Sequence, residues 1–271
     1  MKAGLRGAPG GVAFDAVITR IRPLHAAGWG VAALVAVSAV LAFQQARTST
    51  PVSVSEALGT FRHDGDASAA VPRFGPAPGV YTYRASGSEA GTVGPLRIRR
   101  PVPADARLVA TPAPGGFQTE LQVSKEHIEG YRFRVQGDWA VLAWRRVDVT
   151  FLGVGRDDRN PVRGSARWIP LRPRVGMTWT LDFWTRSLHA TGTGRVTGRR
   201  TVTVDGARRT VYLIDLRTTT AGAHGGPRRE TLWWSPEDRL PLRWVSTTRL
   251  DGVVGFRSHM DMTAASLRPA R

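Results

Sequence analysis

Hydrophobic and polar residues alternate along most of the sequence after Gly79, and this period of two restricts the fold more than any other feature. It is clear in FQTELQV at 117–123, in IEGYRFRV at 128–135 and in MTWTLDFW at 177–184. Such strands have one apolar and one polar face, which is typical of antiparallel sheets packed on one side. No segment after Gly79 shows a sustained helical period. We therefore predict a mainly β domain at 79–271 with a single curved antiparallel sheet, either a half-barrel or sandwich-like.

Two short segments predict tight hairpins within this sheet. Asp205-Gly206 separates RRTVTV from ARRTVYLIDL, and an Asp-Gly pair between two alternating runs is a strong hairpin signal. Ser235–Asp238 lies in the middle of TLWWSPEDRLPLRWVS at 231–246, where Pro236 fixes φ at the second position of a turn. The second hairpin carries three tryptophans, whose rings form either core or a binding surface.

Strand alternation places these three tryptophans on opposite faces of the hairpin. Trp234 and Trp244 lie on the apolar faces of the arriving and departing strands. Burying one tryptophan removes about 150–250 Å² from water, worth at most about 4–6 kcal/mol, so we predict that both rings are core. Trp233 points to the other face, beside Arg243 and Arg249. We expect it to stack under a guanidinium group, with a ligand platform as the alternative.

The tryptophan hairpin also resembles a known family. WWSPEDRLPLRW at 233–244 is similar to a hairpin of tryptophan, acid or serine, proline, turn and Leu-Pro-Leu-Arg in the half-barrel superfamily of periplasmic lipoprotein carriers and related export domains. More closely, the chain from 76 to its end resembles a group of uncharacterised membrane-anchored proteins of GC-rich Gram-positive bacteria. The segments that carry this resemblance are PAPGVYTYRASG at 76–87, PLRPRVGMTWTLDF at 170–183 and TGRRTVTVDGARRTVYLIDLRTTT at 197–220.

The resemblance implies a curved sheet whose concave face can shelter an apolar ligand. The carriers cover that face with helices, whereas this sequence predicts none after Gly79, and no functional residue is carried over from them. An open cavity on the concave face would indicate a binding module, and a closed core would indicate a structural or interaction protein of the cell envelope. The candidate ligand-binding residues are Trp179, Phe183, Trp234 and Trp244 on the apolar face, and Trp233 on the other face.

Residues 26–43, AAGWGVAALVAVSAVLAF, form an uncharged run long enough to cross a bilayer core of about 30 Å at about 1.5 Å per residue. The basic residues before it outnumber the single acid Asp15, and they are Lys2, Arg6, Arg20 and Arg22. The positive-inside bias therefore predicts a cytoplasmic tail at 1–25, a single-pass plasma-membrane anchor at 26–43, a flexible linker at 44–78 and an extracytoplasmic domain at 79–271. A cleaved signal peptide with Val40-Leu41-Ala42 before the cleavage point is the alternative.

The net charge of +17 comes almost entirely from arginine, since Lys2 and Lys125 are the only lysines among 38 basic residues. Codon usage in a GC-rich genome is sufficient to produce this bias. An arginine-rich exported surface nevertheless favours phosphate-bearing neighbours, and we expect anionic lipids or cell-wall polymers as partners. Nucleic acid is excluded as a partner because the domain is predicted to be exported and its arginines are spread along the chain.

The sequence contains no pattern that indicates catalysis or a metal site. The absence of cysteine excludes disulfides and thiolate chemistry. Zinc-protease, nucleophile-elbow and phosphate-loop motifs are absent, and the arginines of GRDDRN at 155–160 would repel calcium. His259 and Asp261 share a strand face, which we interpret as solvated rather than catalytic. We therefore predict a non-catalytic binding or interaction module without metal or cofactor, with a structural envelope protein or an envelope hydrolase as alternatives.

Overall fold

A computed structural model of the protein describes residues 47–64, 75–151, 154–222, 224–252 and 254–271. The predicted tail at 1–25 and the predicted anchor at 26–43 lie outside these ranges. No helix within the described ranges is long and apolar enough to cross a membrane.

One helix and fifteen strands make up the regular structure of the described ranges. The helix α1 is Val54–Asp64, and the strands are β1 Gly79–Val93, β2 Leu96–Pro101, β3 Asp105–Ala113, β4 Gly116–Ser124, β5 His127–Gln136, β6 Trp139–Phe151, β7 Val154–Pro161, β8 Arg163–Ser165, β9 Arg167–Pro170, β10 Thr178–Trp184, β11 Leu188–Val204, β12 Ala207–Gly222, β13 Gly226–Ser235, β14 Leu240–Leu250 and β15 Val254–Ala264.

All of these strands belong to one antiparallel sheet, which confirms the predicted mainly β fold. Its order is β7-β6-β5-β4-β3-β1-β15-β14-β13-β12-β11-β10-β8, with β2 paired to β1 and β9 paired to β6. The segment 163–170 brings the two ends of the sheet together, because its β8 half pairs with β10 and its β9 half pairs with β6. The sheet is therefore nearly closed, which differs from both the half-barrel and the sandwich-like arrangement that the sequence left open.

Both predicted hairpins are confirmed. Asp205 and Gly206 have φ values of 51° and 74°, as a type I′ turn requires, and the two flanking residues pair directly. In the tryptophan hairpin, the Ser235 hydroxyl accepts the Asp238 N–H at 3.2 Å and donates to Asp238 Oδ2 at 2.6 Å. Arg239, with φ of 56°, completes that turn.

The apolar faces of the strands line the interior and form one core. In β10, for example, Trp179, Leu181 and Phe183 are buried while the residues between them are exposed, as the alternation predicts. Position 194 on β11 requires glycine, because the Trp179 indole lies directly against the backbone there. A Cβ atom there would be 2.0 Å from Cε2 of the ring.

Part of the predicted linker is a helix that packs on the outside of the sheet. Ala57 of α1 is fully buried and forms a second apolar cluster with Val52, Val80 and Val109. A capping box begins the helix: the Ser53 N–H donates to Glu56 Oε2 at 3.0 Å, and the Glu56 N–H donates to Ser53 Oγ at 3.2 Å.

The docked helix explains why β4 lacks the solvated outer face that its alternation predicts. Glu120 and Gln122 are buried although they lie on the polar face of this strand. Gln122 Nε2 donates to Thr60 Oγ1 of the helix at 3.2 Å, and Lys125 forms an ion pair with Glu56 at 2.5 Å. The segment from 47 to 64 is therefore part of the folded domain.

Candidate functional site

A row of polar side chains crosses the inner wall of the barrel. Six neighbouring strands, β2, β1, β15, β14, β13 and β12, each contribute one residue, and each residue is paired with the next across the sheet. The row consists of Arg100, Glu89, Ser258, Thr248, Arg228 and Thr218. All six are buried. We call this set the polar row.

Two residues of β5 reach across the interior and bind the charged members of the polar row. Fully buried His127 contacts Glu89 through Nδ1, and its Nε2 lies 3.1 Å from Glu129 Oε1. Arg228 donates from Nη1 and Nη2 to the two oxygens of Glu129 at 2.9 and 2.8 Å. Arg100 donates from Nε to Glu89 Oε2 at 2.9 Å. These contacts tie opposite walls of the barrel together.

The network continues to one of the candidate tryptophans. Arg228 Nη2 also donates to Glu230 Oε1 at 3.0 Å, and the same oxygen accepts the indole N–H of Trp244 at 3.0 Å. The Tyr131 hydroxyl donates to Glu129 Oε2. The buried network therefore runs from Arg100 on β2 to Trp244 on β14.

Electrostatics favour the ionised forms of Glu89, His127 and Glu129. Burial by itself would lower the pKa of His127, but the carboxylates of Glu89 and Glu129 raise it to about 9. Burial would raise the pKa of Glu129, but Arg228 and His127 hold it well below its usual range. With His127 protonated, three cations face three carboxylates, so the six charged groups of the network are neutral as a set.

Several buried polar atoms next to the network have no hydrogen-bond partner. They are Arg228 Nε, Glu230 Oε2, Ser246 Oγ, Thr248 Oγ1 and Ser258 Oγ. All five belong to the adjacent strands β13, β14 and β15. An unsatisfied buried polar atom costs about 1–3 kcal/mol, so we expect water or a ligand to bind these atoms.

A cavity is lined by two residues of this unsatisfied cluster, Arg228 and Thr248. Its polar lining includes Glu129, Arg145, Arg228 and Thr248, and its apolar walls come from β6, β9, β10, β11, β14 and β15. The apolar wall residues are Val147, Val149, Phe151, Trp168, Phe183, Leu188, Ala190, Leu250 and Phe256. About 50 Å³ of this cavity can hold the centre of a water molecule. We call it the polar-floored pocket.

A second cavity of about 40 Å³ lies elsewhere in the same interior. Its lining includes Trp234, Trp244, Phe117 and Leu240, and we call it the tryptophan pocket. Tyr131 and Trp168 line both cavities. Arg239 is the only charged side chain in the lining of the tryptophan pocket.

The candidate ligand-binding residues are thus divided among different surroundings. Phe183 lines the polar-floored pocket, whereas Trp234 and Trp244 line the tryptophan pocket. Trp179 lines neither cavity and packs against Trp139, with ring centroids 5.1 Å apart. Trp234 and Trp244 are 2% and 8% exposed, so their predicted place in the core is confirmed.

Trp233 lies on the outer face, as its alternation predicts. The guanidinium carbons of Arg243 and Arg200 lie 5.0 and 5.7 Å from its ring centroid, so the predicted stacking with Arg243 is confirmed. Arg249, the other expected neighbour, lies 4.0 Å from Asp251 instead. Because guanidinium groups already lie over it, Trp233 is not an open platform.

The pair of His259 and Asp261 does not form a base with an orienting acid. Asp261 accepts two hydrogen bonds from Arg243, at 2.9 and 2.6 Å, and His259 Nδ1 lies 3.1 Å from the hydroxyl of Thr247. Among the described residues, no group of three or more His, Cys, Asp or Glu side chains is arranged to hold a metal ion.

Comparison with known proteins does not place the chain in a family. The sequence matches no protein-family model and no curated protein. Among solved structures, the chain is similar to the hypothetical lipoprotein YmcC from Escherichia coli, with 13% sequence identity, coverage of 78% of this chain and 97% of that chain, and a TM-score of 0.33. A likeness with so low a TM-score carries no argument, so the resemblance to lipoprotein carriers stays a prediction.

Sequence reasoning missed the buried network, although its signal was present. Tyr131 was assigned to the apolar face of β5, and the same period of two places Glu129 and His127 on that face. Likewise, Arg228 and Glu230 alternate in step with Trp234 on β13, so the period of two places all three on the inner face. Charged residues at interior positions of an alternating strand were the feature that could have located the site.

Proposed function

We propose that the barrel is a non-catalytic binding module that takes the apolar chain of an amphiphile into the polar-floored pocket. The observation that carries this proposal is the combination of apolar walls with two unsatisfied donors, Arg228 Nε and Thr248 Oγ1, on residues that line the same cavity. Small-molecule sites are typically apolar cavities with a few convergent polar groups. About 50 Å³ is room for a few waters, so the cavity fits the end of an alkyl chain rather than a whole lipid.

The proposal includes a location in the cell envelope. We propose that 26–43 anchors the chain in the plasma membrane, with the N-terminus in the cytoplasm and the barrel outside it. An exported barrel next to a membrane would meet acyl chains routinely. A reporter that is active only outside the cytoplasm, fused after Arg271, should be active, and activity of a cytoplasm-only reporter at that position would contradict this orientation.

The outer face supports the proposed anionic partners. Arg217 lies directly opposite Arg229 across β12 and β13, and Arg249 lies directly opposite Arg257 across β14 and β15. Like charges in such pairs repel each other, and a phosphate between two guanidinium groups would relieve the repulsion. Anionic lipid headgroups or cell-wall polymers are therefore the proposed outer partners. Loss of vesicle binding at high salt would support this part of the proposal.

The alternative is a structural protein whose interior serves stability alone. The network that joins β5 to β1 and β13 favours this alternative, because it fixes the two walls at a set separation. The two functions differ in one respect: a binding module depends on the polar-floored pocket, whereas a structural barrel does not.

A pocket-filling variant distinguishes the two functions. Octanol should bind to the full chain held in a nanodisc of zwitterionic lipid, measured by calorimetry with empty nanodiscs as the blank. Ala190→Phe should abolish that binding, because Ala190 is 1% exposed and lies in the cavity wall. Ala221→Phe is the matched control, since Ala221 is exposed on the neighbouring strand and pairs with His189.

A core substitution such as Ala190→Phe can also destabilise the fold, so the thermal unfolding of both variants should be measured. Leu250→Ala provides a second test, because it enlarges the same cavity and should increase octanol affinity. Binding that is absent in the wild type, or that is unchanged in both cavity variants, would contradict the binding module.

A further inference from the structure

The polar-floored pocket contains one cation that the buried network does not neutralise. Arg145 is half-buried in the cavity lining, and within the described ranges it has neither a hydrogen-bond nor an ion-pair partner. It lies directly opposite Tyr131 across β5 and β6. Because the six charged groups of the network balance one another, Arg145 gives the cavity a surplus of one positive charge.

Two unsatisfied donors line the same cavity. Arg228 Nε has no acceptor, although both terminal nitrogens of this guanidinium group are bound to carboxylates. The hydroxyl of Thr248, which is paired with Arg228 across the sheet and is 4% exposed, also has no partner. The cavity therefore offers a guanidinium fork, an N–H and a hydroxyl that all lack acceptors.

We infer that the polar-floored pocket selects amphiphiles with a single carboxylate, of the fatty-acid class. This inference rests on the proposed function and specifies the ligand of the same site. A carboxylate has one negative charge, which offsets the surplus of Arg145, and its two oxygens can accept from Arg145, Arg228 Nε and Thr248 Oγ1. Its alkyl chain packs against the apolar walls, among them Phe183 and Leu250.

The charge balance also predicts which amphiphiles bind more weakly. A neutral alcohol satisfies one or two of the donors but leaves Arg145 without a counterion. A cationic amphiphile adds like charge beside Arg145, and the acid in the cavity lining, Glu129, is already bound to Arg228. Among amphiphiles with the same alkyl chain, the affinity should therefore decrease from the carboxylate to the alcohol to the ammonium.

The test compares octanoate, octanol and octylammonium on the full chain in zwitterionic nanodiscs at neutral pH, with empty nanodiscs as the blank. Octanoate should bind about tenfold or more tightly than octanol, because a charge-assisted hydrogen bond is worth more than a neutral one. Arg145→Gln should remove this preference while octanol binding persists. Arg134→Gln is the matched control, since Arg134 is exposed on the outer face of β5 and should leave the preference intact.

Thr248→Val provides a readout that a structural role would not give. Valine has the same shape and removes a hydroxyl that is unsatisfied in the free protein, so the ligand-free barrel should be as stable as the wild type or more stable. Octanoate affinity should nevertheless fall several-fold. Equal affinity for octanoate and octanol, or a preference retained in Arg145→Gln, would overturn the carboxylate inference alone; failure of both to bind would overturn the binding module as well.

Discussion

The polar-floored pocket and the tryptophan pocket are similar in size but differ in chemistry. The tryptophan pocket holds about 40 Å³ among aromatic and aliphatic side chains, with Arg239 as its only charged neighbour. The polar-floored pocket holds about 50 Å³, and its lining includes Glu129, Arg145 and Arg228. A small gap between large rings is an ordinary imperfection of core packing. The tryptophan pocket has one unsatisfied donor, the indole N–H of Trp234, and its Arg239 donates to the Gly75 carbonyl. Beside the polar-floored pocket, Arg228 Nε and Thr248 Oγ1 lack partners and Arg145 has no counterion. The proposed binding site is therefore distinguished by its charged groups rather than by its volume.

The largest expected effect tests whether the tryptophan pocket belongs to the core. Trp234→Ala should lower the free energy of unfolding by about 3–5 kcal/mol, because it enlarges a cavity around a ring that is 2% exposed. Trp233→Ala should cost less than about 1 kcal/mol, since that ring lies on the outer face between arginines. Chemical denaturation of both variants measures the difference, and equal small costs would show that Trp234 is not core.

The next effect tests whether His127, in the buried network beside the polar-floored pocket, is protonated. The folded-state pKa of His127 is raised to about 9 from an ordinary value near 6.5, so its contribution to stability is complete below about pH 6.5 and is lost as the pH rises through about 9. The free energy of unfolding should therefore fall by up to about 3 kcal/mol across that range. His127→Gln should flatten the profile there; a wild-type protein without this decline would contradict a protonated His127.

The smallest expected effect is the difference in the free energy of unfolding between two leucine substitutions, one in the wall of each cavity. Leu240 is 1% exposed in the tryptophan pocket, and Leu250 is 8% exposed in the polar-floored pocket. Leu240→Ala should cost about 2–5 kcal/mol, and Leu250→Ala should cost about 1–2 kcal/mol less, because the Leu250 side chain is less completely buried. Equal losses on denaturation would mean that the two walls are packed alike.

The period of two in the sequence was sufficient to predict much of the fold. It correctly assigned the inner and outer faces of β5 and β10, and the turn residues Asp205 and Gly206 correctly located a hairpin. Closure of the sheet was not predictable in this way, because it depends on β8 and β9, which are only three and four residues long.

The candidate site was predicted only in part, for a physical reason. Large aromatic residues were treated as the ligand-binding signal, and Phe183 does line the polar-floored pocket. The side chains that distinguish this pocket are charged, and a charged residue in an alternating strand is ordinarily assigned to solvent. Burial of His127 and Glu129 is possible because each finds partners on other strands, and those pairings depend on distant parts of the chain.

The central claim is that an alkyl chain enters the polar-floored pocket, and a bromine atom at the end of the chain tests it most directly. A crystal of the full chain grown with 8-bromooctanol should show the anomalous bromine peak inside the cavity bounded by Phe183, Leu188 and Leu250. Ala190→Phe crystals should lack that peak. Bromine found only in the tryptophan pocket, or only on the outer surface of the barrel, would contradict the claim.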